Sequence, residues 1–231
     1  MTGNEALILG GSGGIGAALV AELVARGQHS QVLSLSRVSD PAINLLDERS
    51  LSDAAAAIAE TGVSPRLIIV ATGILHKDGK APEKSLREID PDWMIENYRL
   101  NAIGPALIAK HFLPLMPRTG RICFAVLSAR VGSISDNRLG GWHSYRASKA
   151  ALNMLVRNIS VEWQRKNADA VIVGLHPGTV ETALSAPFKG NLAHERFLPQ
   201  TAAGQLLNVL EALSPAQSGL LFAYDGTVIA P

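Results

Sequence analysis

Apolar residues along this chain come in short dense runs, separated by longer stretches where they recur every three or four positions. The dense runs are Ala6 to Leu9, Gln31 to Arg37, Arg66 to Ala71, Gly120 to Leu127, Ala170 to Leu175 and Gly219 to Ala223. A stretch apolar at every position, such as Leu67-Ile68-Ile69-Val70, suits a strand in a parallel sheet covered on both faces. Asn44-Leu45-Leu46-Asp47 predicts a further short strand and turn. Between the runs, Ala17 to Arg26 has a helical period and stops at Gly27, a natural C-cap. Leu51 to Thr61 predicts an alanine-rich helix begun by Ser50 or Ser52. Asp90 suits an N-cap with Pro91 at the first helical position, and the pattern from Trp93 continues to Met116 with a break or bend near Gly104-Pro105. Ala150 to Glu162 and Thr201 to Leu213 complete the helices, the last capped by Gln200 or Thr201. Ala183 to Pro199 has no strong period and predicts a cover over a site. Seven strands alternating with about six helices predict an α/β fold in one domain over residues 1–231: a mostly parallel, doubly wound seven-stranded sheet with helices on both faces.

Composition narrows the possible partners. With 47 % apolar and 18 % charged residues, the chain is not a disordered one. A net charge of +1 gives no electrostatic reason to expect nucleic acid or an acidic membrane surface as a partner. The single Cys123 cannot form an intrachain disulfide, and its apolar surroundings suggest a packing role in a reducing compartment. The first five residues lack the basic region of a signal peptide, and no apolar stretch reaches the roughly 18 residues of a membrane helix. A cytoplasmic protein acting on a small molecule is the expectation.

The first strand opens directly into Gly10-Gly11-Ser12-Gly13-Gly14-Ile15-Gly16. Strand, glycine loop and helix together present backbone N–H groups and a helix N-terminus to a pyrophosphate, the Rossmann-type arrangement. The glycines satisfy several spacings at once, so they point to a dinucleotide without choosing a subfamily. At the end of the second strand a carboxylate would accept from the ribose 2′-OH of NAD, whereas an arginine accommodates the 2′-phosphate of NADP. Here Ser36 is followed by Arg37, with no acid before Asp40, which favours NADP(H). Thr72 and Gly73, just after the run Arg66 to Ala71, are small enough for a nicotinamide ribose to approach.

Ser144-Tyr145-Arg146-Ala147-Ser148-Lys149 leads into the fifth helix. In a helix, Tyr145 and Lys149 leave one face with about 5–6 Å between their Cβ atoms. A phenol with an ordinary pKa of about 10 is a poor acid–base catalyst at neutral pH, and a neighbouring cation lowers that value. The alternative is a half-buried tyrosine beside a solvated lysine. Ser128 ends a strand, where ligands of open parallel sheets lie, and could polarise a carbonyl there; alone, a strand-end serine is more often a turn former. Asn101 stands just before the helix break, where a structural amide is usual. His176 predicts a strand-end hydrogen bonder, since no other His, Cys or acid stands at metal-ligand spacing. Ser133, Ile134, Trp142, Leu184, Phe188 and Phe197 are candidates for an apolar substrate pocket.

In this order and spacing the residues resemble the short-chain dehydrogenase/reductase family over nearly the whole chain. Gly10-x-x-x-Gly14-Ile15-Gly16 resembles its cofactor loop, Ser128 with Tyr145-x-x-x-Lys149 its catalytic residues, and Asn101 the fourth of them. Ser128-Ala129-Arg130-Val131-Gly132-Ser133, Gly140-Gly141-Trp142 and the Asp225-Gly226 ending are similar to the C-factor-like members. The resemblance implies catalysis by Asn101, Ser128, Tyr145 and Lys149. It implies cofactor contacts at Gly10, Ser12, Gly14, Ile15, Gly16, Ser36, Arg37, Asn44 and Leu45. It extends them to Ala71, Thr72, Gly73, Tyr145, Lys149, Pro177, Gly178, Val180 and Thr182. The implied activity is NADP(H)-dependent hydride transfer on a carbonyl or secondary alcohol by a homodimer or homotetramer. Three departures stand out: Ala71-Thr72-Gly73 replaces the common Asn-Ala-Gly, Asn44 replaces an Asp, and the interval from Ser128 to Tyr145 is long. Two other readings remain at this point. One is an NADP(H)-binding, C-factor-like signalling protein with little turnover, which would not need the proton-transfer pair. The other is an extended-family epimerase or dehydratase, which usually continues well beyond the last strand, whereas this sequence stops eight residues after Ala223.

Overall fold

The computed structural model describes residues 3–187 and 196–231, so Phe188 lies outside the described residues. In chain order the elements are β1 (Glu5–Leu9), α1 (Gly14–Arg26), β2 (Gln31–Leu35), α2 (Glu48–Glu60), β3 (Leu67–Val70), α3 (Pro91–Tyr98) and α4 (Gly104–Phe112). They continue with β4 (Ile122–Leu127), α5 (His143–Gln164), β5 (Ala170–His176), β6 (Thr179–Val180), β7 (Arg196–Phe197), α6 (Pro199–Ala212), β8 (Leu221–Ala223) and β9 (Val228–Ile229). The main sheet runs β2-β1-β3-β4-β5-β8-β9, parallel except for β9, while β6 and β7 pair separately. The chain winds outward from β1 in both directions, so β1 and β3 flank the point where strand order reverses. Their carboxyl ends open the crevice in which such sheets bind ligands.

Alternation along each strand builds two cores. Leu7, Leu9, Phe124, Val126 and Ile172 face α2, α4 and α5, whereas Ala6, Ile8, Cys123, Ala125, Val171 and Val173 face α1 and α6. Removing a fully buried aromatic such as Phe124 would cost about 3–5 kcal/mol. The layers therefore hold the carboxyl edge rigid, and that edge carries Gly10, Thr72, Ser128 and His176.

The structure changes several sequence expectations. Residues 44–47 are not a strand: Asn44 Oδ1 accepts from the Leu46 N–H at 3.1 Å, and Asp47 Oδ1 accepts from Arg49 N–H at 3.0 Å. Short polar side chains here satisfy the backbone locally and start α2 at Asp47, ahead of Ser50 and Ser52. The seventh strand is instead β9, returning antiparallel after Asp225-Gly226. The helix α6 starts at Pro199, whose fixed φ suits a first helical position, rather than at a cap from Gln200 or Thr201. The bend before Gly104-Pro105 is a π-helical turn, Arg99–Ile103, in which the Gly104 N–H reaches back to the Arg99 carbonyl. Asn101 sits inside that turn.

Candidate active site

The glycine loop is shaped by close approaches that a side chain would prevent. Gly10 has φ 95°, and a Cβ there would lie 2.9 Å from Thr72 Cγ2. At Gly16 a Cβ would lie 2.2 Å from the Gly10 carbonyl oxygen. The loop is held from below, where the N–H groups of Gly10 and Gly11 donate to the Leu35 carbonyl. Across the crevice, a Cβ at Gly14 would meet Thr182 Cγ2 at 2.7 Å, and Ile15 packs beside Val180 and Phe197. Gly178, at φ 75°, leaves room for Phe197 and Tyr224. The segments 10–16, 71–73 and 177–182 thus form one cradle around the sheet edge.

This cradle suits a dinucleotide in its polar chemistry as well. Thr72 Oγ1 is buried beside Gly10 with no hydrogen-bond partner among the described residues. A buried hydroxyl left unpaired is costly, and a polar ligand group in the cradle would satisfy it. Arg37 lies exposed just beyond β2 with no hydrogen-bonding or ion-pairing partner among the described residues, and its positive charge is felt at Lys77. Ser36 is instead buried, its hydroxyl accepting from Val38 N–H at 3.2 Å. Leu45 packs against Gly104, and Asn44 is committed to its local turn.

The catalytic candidates meet on α5. Its buried face repeats every three or four residues: Ser144, Tyr145, Ser148, Lys149, Leu152 and Val156. Tyr145 is 8 % exposed and Lys149 only 3 %, so the picture of a solvated lysine does not hold. Lys149 Nζ donates to the carbonyl of Leu127, the last residue of β4, at 3.0 Å and lies 5.8 Å from the centre of the Tyr145 ring. Gly73 brings backbone alongside: a Cβ there would lie 3.2 Å from Asn101 Oδ1 and 3.5 Å from Lys149 Nζ. Ser128, one residue past Leu127, is anchored by its N–H to the Leu175 carbonyl, and its hydroxyl donates to Asn153 Oδ1 at 2.6 Å.

Asn101 is fully engaged. Its Oδ1 accepts from Ile74 N–H at 2.8 Å, and its Nδ2 donates one proton to the Ile74 carbonyl at 2.9 Å and shares the other between Asn97 Oδ1 and Ser148 Oγ, each at 3.2 Å. It clamps the chain that leaves β3 against α5. Burial governs the charges. It raises the Tyr145 phenol above its ordinary value, opposite in direction to the lowering expected from Lys149, and brings the Lys149 ammonium down to about 8. His176 is also changed by burial, which depresses it to about 4 with help from Arg130. Its Nδ1 is buried with no hydrogen-bond partner among the described residues. Among the described residues, no cluster of His, Cys, Asp and Glu could hold a metal ion.

Two contributors escaped the sequence reading. Glu83 is a buried carboxylate in the loop between β3 and α3. It accepts from the Ser144 N–H at 3.2 Å and, through its other oxygen, from the Ser144 hydroxyl. The helix α5 has no side-chain cap of its own, because Trp142 stands at the N-cap with φ 53°, and Glu83 supplies one from 61 residues away. Nothing local in the sequence announces this. Asn153 could have been found: it stands four residues after Lys149, as Lys149 stands four after Tyr145. The pocket candidates separate in space. Trp142 meets the Tyr145 ring edge-on at 6.2 Å, whereas Ile134 is largely exposed and lines a groove with Met154 and Leu220. Ser133 accepts from Asp136 N–H in a turn, and Phe197 packs on Tyr224.

A family model described as enoyl-(acyl carrier protein) reductase matches residues 15–211. The chain belongs to the short-chain dehydrogenase/reductase family. Within that family of oxidoreductases, it is 27 % identical over 235 residues to 1-hydroxy-2-glutathionyl-2-methyl-3-butene dehydrogenase of Rhodococcus sp. (strain AD45), covering 98 % of this chain and 99 % of the relative. It is 34 % identical over 145 residues to C-signal of Myxococcus xanthus, covering 63 % of this chain and 82 % of that protein. Among solved structures, an NADPH-bound carbonyl reductase from chicken fatty liver has a TM-score of 0.84 at 26 % identity, covering 99 % of this chain and 94 % of that one. The carbonyl reductase Sniffer of D. melanogaster shares the fold, with a TM-score of 0.84 at 24 % identity and 99 % of each chain covered. No helix among the described residues is long and apolar enough to cross a membrane.

Proposed function

We propose that this protein is an NADP(H)-dependent oxidoreductase that moves hydride between the nicotinamide and a carbonyl or secondary alcohol, with Tyr145 as the general acid/base. The observation that carries this reading is the burial of Tyr145 and Lys149 together, between Gly73 and the Ser128 end of β4. NADP(H), when bound, supplies or accepts the hydride. The glycine loop and Thr72 hold the cofactor's backbone, and Arg37 donates to its 2′-phosphate, a preference in keeping with the NADPH in the carbonyl reductase of similar fold. Tyr145 gives its proton to the carbonyl oxygen in reduction and takes it back in oxidation. Lys149 holds the nicotinamide ribose, and its charge favours the phenolate that Tyr145 becomes. Ser128 hydrogen-bonds the substrate oxygen and steadies the charge that develops on it. Asn101 supports proton resupply by fixing Ile74, and with it the Gly73 backbone, against Lys149.

The residues on either side of the undescribed stretch cover the substrate, in keeping with a contact between the His76 ring and the Ala183 carbonyl at 3.1 Å. Subunits associate through the helices that carry Asn101 and Tyr145, where Ile95, Ile103, Met154 and Val161 are exposed. A signalling protein with little turnover would have no use for a buried tyrosine–lysine pair beside Ser128.

The test is NADPH oxidation against a panel of aldehydes, ketones and quinones. Tyr145→Phe is expected to lower turnover by about 10²- to 10⁴-fold, while NADPH still binds. Normal turnover by that variant would sink the assignment.

A further inference from the structure

The hydrogen bond from Ser128 to Asn153 bears on how the proposed site is set before a substrate arrives. Its 2.6 Å length suits O–H···O and is short for N–H···O, so the amide oxygen faces Ser128. The fit is close on the sheet side as well. A Cβ at Gly174, on the neighbouring strand, would lie 3.7 Å from Ser128 Cβ and 3.9 Å from Asn153 Oδ1. The backbone of Ser128 is already fixed by its N–H bond to Leu175, so rotation about χ1 is the freedom left to Oγ. A serine hydroxyl has one proton and two lone pairs. With the proton committed to Asn153, Oγ meets the crevice through its lone pairs.

We propose that Asn153 is a positioning residue: by accepting the Ser128 proton it fixes the rotamer from which Oγ engages the substrate oxygen. The inference rests on the reading of Ser128 given above. A bound alcohol can donate to the lone pairs of Oγ, whereas a carbonyl oxygen must draw the proton away from Asn153. In both directions Oγ starts from one place. Asn153, Lys149 and Tyr145 lie at successive four-residue steps, so one helix face sets the proton donor, the ribose anchor and the support for the carbonyl anchor.

The test is a double-mutant cycle on Ser128→Ala and Asn153→Ala, with 9,10-phenanthrenequinone and 4-nitrobenzaldehyde as carbonyl probes. Asn153→Ala is expected to lower kcat/KM by about 10- to 100-fold, as for a misplaced catalytic group, with the NADPH dissociation constant unchanged. Added to Ser128→Ala, it should cost no more than about twofold, because the group it positions is already gone. Asn153→Asp keeps an acceptor oxygen and should recover most of the loss; it stands in if the alanine variant does not fold. A crystal structure of Asn153→Ala should show Ser128 in more than one rotamer. Losses that multiply in the double variant, an aspartate no better than alanine, or an unmoved Ser128 would overturn the proposal. Full turnover by Ser128→Ala, or none by the parent protein with either probe, would count against the reading of the site itself.

Discussion

The two halves of the crevice are built in different ways. On the side of β1, β2 and β3 the cradle is made of backbone: Gly10 and Gly16 are where they are because a Cβ would strike the Gly10 carbonyl, Ala71 or Thr72. On the side of β4, α5 and β5 the site is made of side chains, and each is held by a residue distant in sequence. Glu83 caps the helix of Tyr145 and Lys149, Asn101 pins Ile74, next to the Gly73 that lies against Lys149, and Asn153 accepts from the Ser128 hydroxyl. Backbone shape is enforced locally by the absence of a side chain, whereas side-chain placement is enforced by partners that only folding brings together. The first half should fail abruptly when a single atom is added, and the second by degrees as its supports are removed.

Tyr145→Phe is the largest expected effect, since it removes the proton donor proposed above while leaving the cradle intact. Gly16→Val attacks the other half. Its Cβ would fall against the Gly10 carbonyl, and NADPH affinity measured by fluorescence should drop by about 100-fold or more, as expected when about 3 kcal/mol of contact is lost. Retained affinity would show that the loop can give way and that the contrast between the halves is overstated. Arg37→Asp should narrow or reverse the preference for NADPH over NADH, by about 10- to 100-fold from the loss of one or two charge-assisted hydrogen bonds. Equal affinities in the parent protein would refute the assignment of Arg37.

Glu83→Ala leaves the buried Ser144 without its acceptor and α5 without its cap. Unfolding free energy should fall by about 1–3 kcal/mol, and turnover should fall more than NADPH affinity does. Parallel losses in both would mean that the helix start supports the cradle as well.

A last effect concerns pH. Burial holds Lys149 at about 8, below its unfolded value, so between about pH 8 and 10.5 the unfolded chain binds more protons than the folded one. Relative to Lys149→Met, the stability of the parent protein should therefore rise through that window. Over the same range, carbonyl reduction should decline as the ammonium is lost, and Lys149→Arg should move that decline upward. A flat difference in stability between parent and Lys149→Met would show that Lys149 is not shielded from water in solution.

The apolar runs determined six of the seven strands of the main sheet, because a strand buried on both faces must be apolar at each position, and Ala6 to Leu9 or Ile122 to Leu127 can hardly be otherwise. The glycine spacing and the four-residue step from Tyr145 to Lys149 were legible for the same reason: both are local geometry written in adjacent residues. Where the sequence misled, at Asn44 to Asp47, local hydrogen bonds from short polar side chains outweighed an apolar pair. The expectation that Lys149 lowers the phenol of Tyr145 could not anticipate burial, which raises it. Only the tertiary structure decided which residues hold the chemistry still. Glu83 and Ser144, Asn101 and Ile74, and Ser128 and Asn153 are 61, 27 and 25 positions apart. The pairing itself leaves no mark on periodicity or composition, even where one partner, such as Asn153, stands at a readable spacing, because it depends on where the folded layers put two side chains rather than on what surrounds either one in the chain.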